Sequence, residues 1–70
     1  MEGSQELIAL NSAISAFRKE RTIKNCIQLH WNVVCANTAM RLWPDSCAAN
    51  LIETSVYEAE KLMHEVFVAE

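Results

Sequence analysis

Hydrophobic positions along the chain recur at intervals of three and four residues, which is the spacing of amphipathic α-helices. The first stripe consists of Leu7, Leu10, Ile14 and Phe17. Ser4 is suited to cap this segment, and Glu6 falls in its first turn, where the helix dipole favours negative charge. These features predict a short helix over about residues 4–18.

The next segment, about residues 22–43, is apolar on two sides. One seam follows 3-4-3-4-3 spacing and comprises Cys26, Leu29, Val33, Ala36, Met40 and Trp43. A second flank, about a third of a turn away, comprises Ile23, Ile27, Trp31, Val34 and Leu42. A surface helix normally carries one apolar stripe. Two flanks therefore predict a central helix contacted from two sides, one of them open to another molecule.

The last segment, about residues 45–68, follows Pro44, which ends the preceding helix. Asp45 or Ser46 is expected to cap it. Its seam comprises Ala48, Ile52, Val56, Ala59, Met63 and Val66, broadened by Leu51, Leu62 and Phe67. So short a connection requires an antiparallel αα-hairpin. The predicted fold is all-α: a hairpin of helices at about 22–43 and 45–68 with a short helix at about 4–18, packed like a coiled coil in one domain spanning residues 1–70.

The junction between the first two helices allows two interpretations. Residues 18–21 contain neither Gly nor Pro, so one helix could run through them, supported by a Glu20–Lys24 pair at i, i+4. Alternatively, Thr22 could cap a new helix after a turn. The hydrophobic phase shifts across the junction, which favours a break.

Composition points to a binding partner. The chain has 70 residues, of which 51% are apolar, more than a lone domain of this size easily buries. A homodimer or a tight complex with another protein is expected. The net charge of −3 disfavours nucleic acid as a partner, although Arg18, Lys19, Arg21 and Lys24 form a basic cluster. A small nucleic-acid-binding regulator is therefore the third alternative.

The residues give no sign of catalysis, and no catalytic residue, cofactor or metal ligand is assigned. Cys26 and His30 are one helical turn apart, but nothing nearby supplies further zinc ligands. The three cysteines at 26, 35 and 47 fit neither a zinc pattern nor a disulfide framework, and reduced thiols are expected. The chain start does not resemble a signal peptide, and no apolar run could span a bilayer. A cytoplasmic location is expected, without membrane insertion.

Protein binding is the function that the pattern favours. Trp31 lies towards the outward side of the central helix, and an exposed Trp is a common interface hot spot. The predicted protein-binding residues are Ile23, Ile27, Trp31 and Val34 of the central helix, together with Leu7, Leu10, Ile14 and Phe17 of the first helix. The remaining alternative is a homodimeric helical bundle with a structural or adaptor role.

The chain also resembles a known family over roughly residues 5–68. Its length, acidic balance and helix order, Pro44-Asp45 at the corner, and the run Glu58-Ala59-Glu60-Lys61-Leu62-Met63 are similar to the small helical-hairpin co-chaperones of bacterial type III secretion systems. The resemblance implies a cytosolic chaperone subunit that binds a second chaperone subunit, the two together keeping the secreted needle subunit soluble and monomeric.

Overall fold

The computed structural model describes the backbone of residues 2–68 and the side chains of residues 2–66. It contains helices α1 (Ser4–Lys19), α2 (Ile23–Leu42) and α3 (Cys47–Val68). Each helix packs against the other two, in a bundle measuring 39 × 18 × 14 Å. Connections this short make consecutive helices antiparallel. The predicted all-α hairpin with a short N-terminal helix is confirmed.

The core lies along the axis of the bundle and receives one stripe from each helix. Its largest fully buried side chains are Leu10 and Phe17 from α1, Leu29 from α2 and Ile52 from α3. Between them lie small side chains, which let the helices approach closely; they are Ala13, Ala36, Ala39, Ala48 and Ala59. The predicted seam of α2 faces this core, with Cys26, Met40 and Trp43 partly buried at its margins.

The start of α1 differs from the prediction. Gly3, not Ser4, is the N-cap, with a left-handed backbone (φ 88°) and no side-chain cap. A Cβ at Gly3 would lie only 3.4 Å from Ile52 Cδ1 and 3.5 Å from Ala48 Cβ. Glycine therefore meets two requirements here, since it tolerates positive φ and lets the chain cross closely over the start of α3.

The junction between α1 and α2 is a break, as the shift of hydrophobic phase predicted. Glu20 is extended and ends α1, so Glu20 and Lys24 do not form a pair within one helix. Thr22 caps α2 by accepting a hydrogen bond from the Asn25 N–H at 3.2 Å. The Asn25 side chain donates to the Glu20 carbonyl oxygen at 2.8 Å, which fixes the direction of the turn.

The corner between α2 and α3 contains Pro44 and is fastened by Ser46. The Ser46 hydroxyl accepts from the Ala48 N–H at 3.2 Å and donates to the Glu2 carbonyl oxygen at 2.7 Å. Of the two predicted caps, Ser46 is therefore the correct one. Leu51, expected in the α3 seam, is exposed because it lies one residue, about 100° of rotation, before Ile52. The Phe67 side chain lies outside the described residues.

Candidate protein-binding surface

A row of exposed apolar side chains lies on the side of α2 that faces away from the core. It is named here the outer strip and consists of Ile23, Ile27, Trp31, Val34 and Leu42, all exposed. Ile23 is 80% and Trp31 66% exposed. At 1.5 Å per residue the strip is about 28 Å long. Scattered apolar side chains on a surface are ordinary, whereas a contiguous row of large ones indicates an interaction site.

Beside the outer strip, a groove of about 450 Å³ lies between the first turns of α1 and the C-terminal half of α2. Its lining comprises Glu6 from α1, then Trp31, Val34, Cys35, Thr38, Ala39 and Leu42 along α2, and Trp43. Glu6 is half-buried and is the one charged side chain in this lining. The salt bridge found among residues 2–66 joins Arg18 to Glu58 and does not involve Glu6. A carboxylate at the edge of an apolar groove suits a partner that brings a cation.

The four α2 residues predicted to bind protein, Ile23, Ile27, Trp31 and Val34, are thus brought together on one surface. The α1 residues are not. Leu10, Ile14 and Phe17 are buried in the chain's own core, and Leu7 is half-buried and packs against it. This is a correction: the single apolar stripe of α1 is used to close the bundle, so it offers no free surface to a partner.

The basic cluster does not form one uncommitted cationic face. Arg18 pairs with Glu58 of α3, and the Arg21 guanidinium lies over the Phe17 ring, 6.0 Å from its centre. Lys19 and Lys24 are exposed. Two of the four cations therefore already have partners within the chain, which weakens the case for phosphate binding.

Other kinds of site find little support in the described part of the chain. The three cysteines are unpaired, and residues 2–66 hold no group of three or more His, Cys, Asp or Glu side chains that could bind a metal ion. No helix of the structure described here has the length and apolarity needed to cross a membrane. Comparison with models of protein families, with curated proteins and with solved structures finds no match to this chain.

The groove was not predicted from the sequence. The sequence pattern predicts only that Glu6 lies in the first turn of a helix, and it predicts no role for Thr38. The Glu6–Leu42 neighbourhood depends on how α1 packs against α2, a long-range contact that hydrophobic spacing alone does not specify.

Proposed function

We propose that this protein is a non-enzymatic protein-binding module whose working surface is the outer strip of α2 with its adjoining groove. The observation that carries the proposal is the row of exposed large apolar side chains centred on Trp31. Such a row matches the helix-in-groove mode of recognition, in which an amphipathic helix lays its apolar face along a complementary surface.

The free energy available from burying the outer strip favours a binding role over accidental exposure. Full burial of one large aliphatic side chain is worth about 1.5–3 kcal/mol, so covering the outer strip yields several kcal/mol before the cost of association. Trp31 lies near the middle of the strip, where hot-spot residues cluster. Its truncation is expected to cost about 2 kcal/mol of binding free energy or more, which is about a 30-fold loss of affinity.

The more specific form of the proposal is a cytoplasmic chaperone subunit of a type III secretion system. It rests on the family resemblance and is compatible with a helical hairpin that leaves one apolar flank free. A needle subunit is an amphipathic helix that polymerises through its apolar face. A surface that occupies that face would keep it monomeric, and the outer strip offers exposed apolar side chains along about 28 Å of helix.

The test is co-expression with a type III secretion needle subunit, followed by size-exclusion chromatography of the soluble fraction. The needle subunit is expected to elute in a discrete complex with this chain instead of as polymer. Trp31→Ala should release it. Tyr57→Ala is the matched control, because Tyr57 is a similarly exposed aromatic on α3 outside the outer strip. Both variants should keep the helical circular dichroism of the parent.

A needle subunit that polymerises regardless of this chain would remove the chaperone form of the proposal. The broader form would fail if Trp31→Ala and Tyr57→Ala had equal effects on every protein that the chain retains from its host. Binding that disappears between low and moderate salt would instead favour the nucleic-acid alternative, whereas apolar helix contacts should change little.

A further inference from the structure

The residues along the exposed side of α2 are symmetrically spaced. Thr38 is exposed on the same side as the outer strip, and together they form a row of six: Ile23, Ile27, Trp31, Val34, Thr38 and Leu42. Their intervals of 4, 4, 3, 4 and 4 residues read identically in both directions. The centre of the pattern falls between Trp31 and Val34. A row with this spacing superimposes on itself when rotated by half a turn about an axis through its centre.

From this symmetry we infer that the occupant of the outer strip is a second copy of this chain, with the two α2 helices crossing in antiparallel directions about a twofold axis between Trp31 and Val34. In such an isologous interface each contact occurs twice. Trp31 lies against Val34 of the second copy, a large side chain against a smaller one, as close packing requires. The outer pairs are Ile27 with Thr38, and Ile23 with Leu42.

The charges at the ends of the outer strip are arranged to fit the antiparallel direction. Lys24 and Leu42 are 18 residues apart, which is five full helical turns, so they lie on one line along α2 about 27 Å apart. The twofold axis brings Lys24 of the second copy to the level of residue 41, on the Leu42 side. Glu6 lines the groove beside Leu42, so its carboxylate provides a negative charge near the Lys24 of the second copy. Arg41 lies about 100° around the helix from Lys24, on the other edge.

Lys24 and Glu6 cannot meet within one molecule, because Glu6 adjoins the C-terminal half of α2 and Lys24 occupies its first turn. Neither takes part in the salt bridge found among residues 2–66. An antiparallel dimer therefore gains two complementary pairs from charges that the single chain leaves apart. A parallel arrangement would instead keep both Lys24 residues at the end of α2 away from Glu6, so neither complementary pair would form.

The exposed apolar area of the outer strip is also large enough for a dimer interface. A standard interface buries about 800 Å² per partner, of which about 56% is apolar, or roughly 450 Å². The exposed fractions of the five strip side chains correspond to roughly 300–450 Å² of apolar side-chain surface. The outer strip thus supplies most of the apolar share of a standard interface, and the groove residues add to it.

This inference rests on the proposed function, since it names the occupant of the same surface. A helix of a partner protein would then bind by replacing the second copy. In the absence of that partner, dimerisation would shield the outer strip from water.

The experiment is sedimentation equilibrium of the full chain at micromolar concentrations, with charge variants tested alone and mixed. Lys24→Glu and Glu6→Lys each turn two attractive contacts into two repulsive ones, so each alone should dimerise about tenfold more weakly. Mixed in equal amounts, they should form a heterodimer of parental affinity, because each reversed charge then meets its opposite. Lys61→Glu makes the same charge change on the exposed side of α3 and should leave the dimer dissociation constant unchanged. Trp31→Ala should raise that constant by about 30-fold or more.

Recovery on mixing supports the antiparallel register. Two weak variants that do not recover when mixed would overturn it, as would charge variants that dimerise like the parent. A chain that remains monomeric at about 100 μM would overturn the proposed self-association. The needle-subunit experiment could still succeed in that case, so the two proposals can be told apart. A dimer that survives Trp31→Ala unchanged would overturn the inference by placing the interface elsewhere.

Discussion

Helices α2 and α3 are of similar length, and each buries an apolar side towards the core, but they differ in the side that faces away from it. On α3 that side carries Asn50, Glu53, Glu60, Lys61 and His64, all exposed. Among the α3 side chains that the structure describes (residues 47–66), the large exposed apolar ones are Leu51 and Tyr57. They are six residues apart and point in different directions around the helix. On α2 the exposed apolar side chains instead follow one another in a row.

The difference shows that α3 is completed by the fold of its own chain and α2 is not. Two neighbours within the bundle cover the single stripe of α3, and water solvates the remainder. The inner seam of α2 is covered by the same bundle, but no third helix is left to cover the outer strip. Three helices enclose one core, so one of the two apolar sides of α2 stays exposed in the single chain.

The largest expected effect tests this division of α2 directly. Leu29 is fully buried and Ile27 is mostly exposed, although they are two residues apart on one helix. Leu29→Ala should lower the free energy of unfolding by about 2–5 kcal/mol because it leaves a cavity. Ile27→Ala should lower it by about 0.5 kcal/mol or less. Urea titrations followed by circular dichroism at submicromolar concentration measure both. Equal losses would mean that both sides of α2 are core.

A smaller effect tests how tightly α3 is held to α1. Ser55 is buried to 8% exposure, and its hydroxyl donates to Asn11 Oδ1 at 2.8 Å. Asn11→Ala removes the acceptor and leaves a buried hydroxyl unsatisfied, which should cost about 1.5 kcal/mol of stability. Ser55→Ala, which removes the buried hydroxyl itself, should cost less, and the double variant should be no worse than Asn11→Ala. Additive losses would show that the two side chains act independently.

The starts of α2 and α3 allow a matched comparison of helix caps. Thr22 caps α2, whereas Ser46 caps α3 and also holds the N-terminal segment through Glu2. Thr22→Ala should cost about 1 kcal/mol, and Ser46→Ala should cost slightly more because two hydrogen bonds are lost. Thermal unfolding measures both. Thr54→Ala is the control, since the Thr54 hydroxyl donates to the Asn50 carbonyl of its own helix and its loss should have little effect.

Local signals in the sequence were sufficient for the helices and for the two sides of α2. Pro44 and Thr22 mark ends by chemistry that acts within a few residues, and the 3-4 spacing assigns the inner seam. The role of α1 was not recoverable in this way. Its stripe looks the same whether it meets its own chain or another, and only the packed bundle shows that Leu10, Ile14 and Phe17 complete the core.

The same reasoning explains the missed polar contacts. Arg18–Glu58 and Asn11–Ser55 join residues 40 and 44 positions apart, and their formation depends on how far α1 and α3 slide along each other. The cap at Gly3 is not predictable from the local sequence for a related reason. Glycine is required at this position because α3 passes close to it. No neighbouring residue in the sequence indicates that contact.

The smallest expected effect concerns the Arg18–Glu58 pair, which links the end of α1 to the middle of α3. The two side chains are 54% and 42% exposed, so water screens their attraction and holding both long chains in one geometry costs entropy. A double-mutant cycle of Arg18→Ala and Glu58→Ala should give a coupling of about 0.5 kcal/mol or less at low salt. The coupling should fall further in 1 M salt, where the Debye length is about 3 Å. A coupling above about 1.5 kcal/mol that resists salt would mean that α1 and α3 are fastened electrostatically. The contrast between the helices would then rest on charge as well as on the placement of their apolar sides.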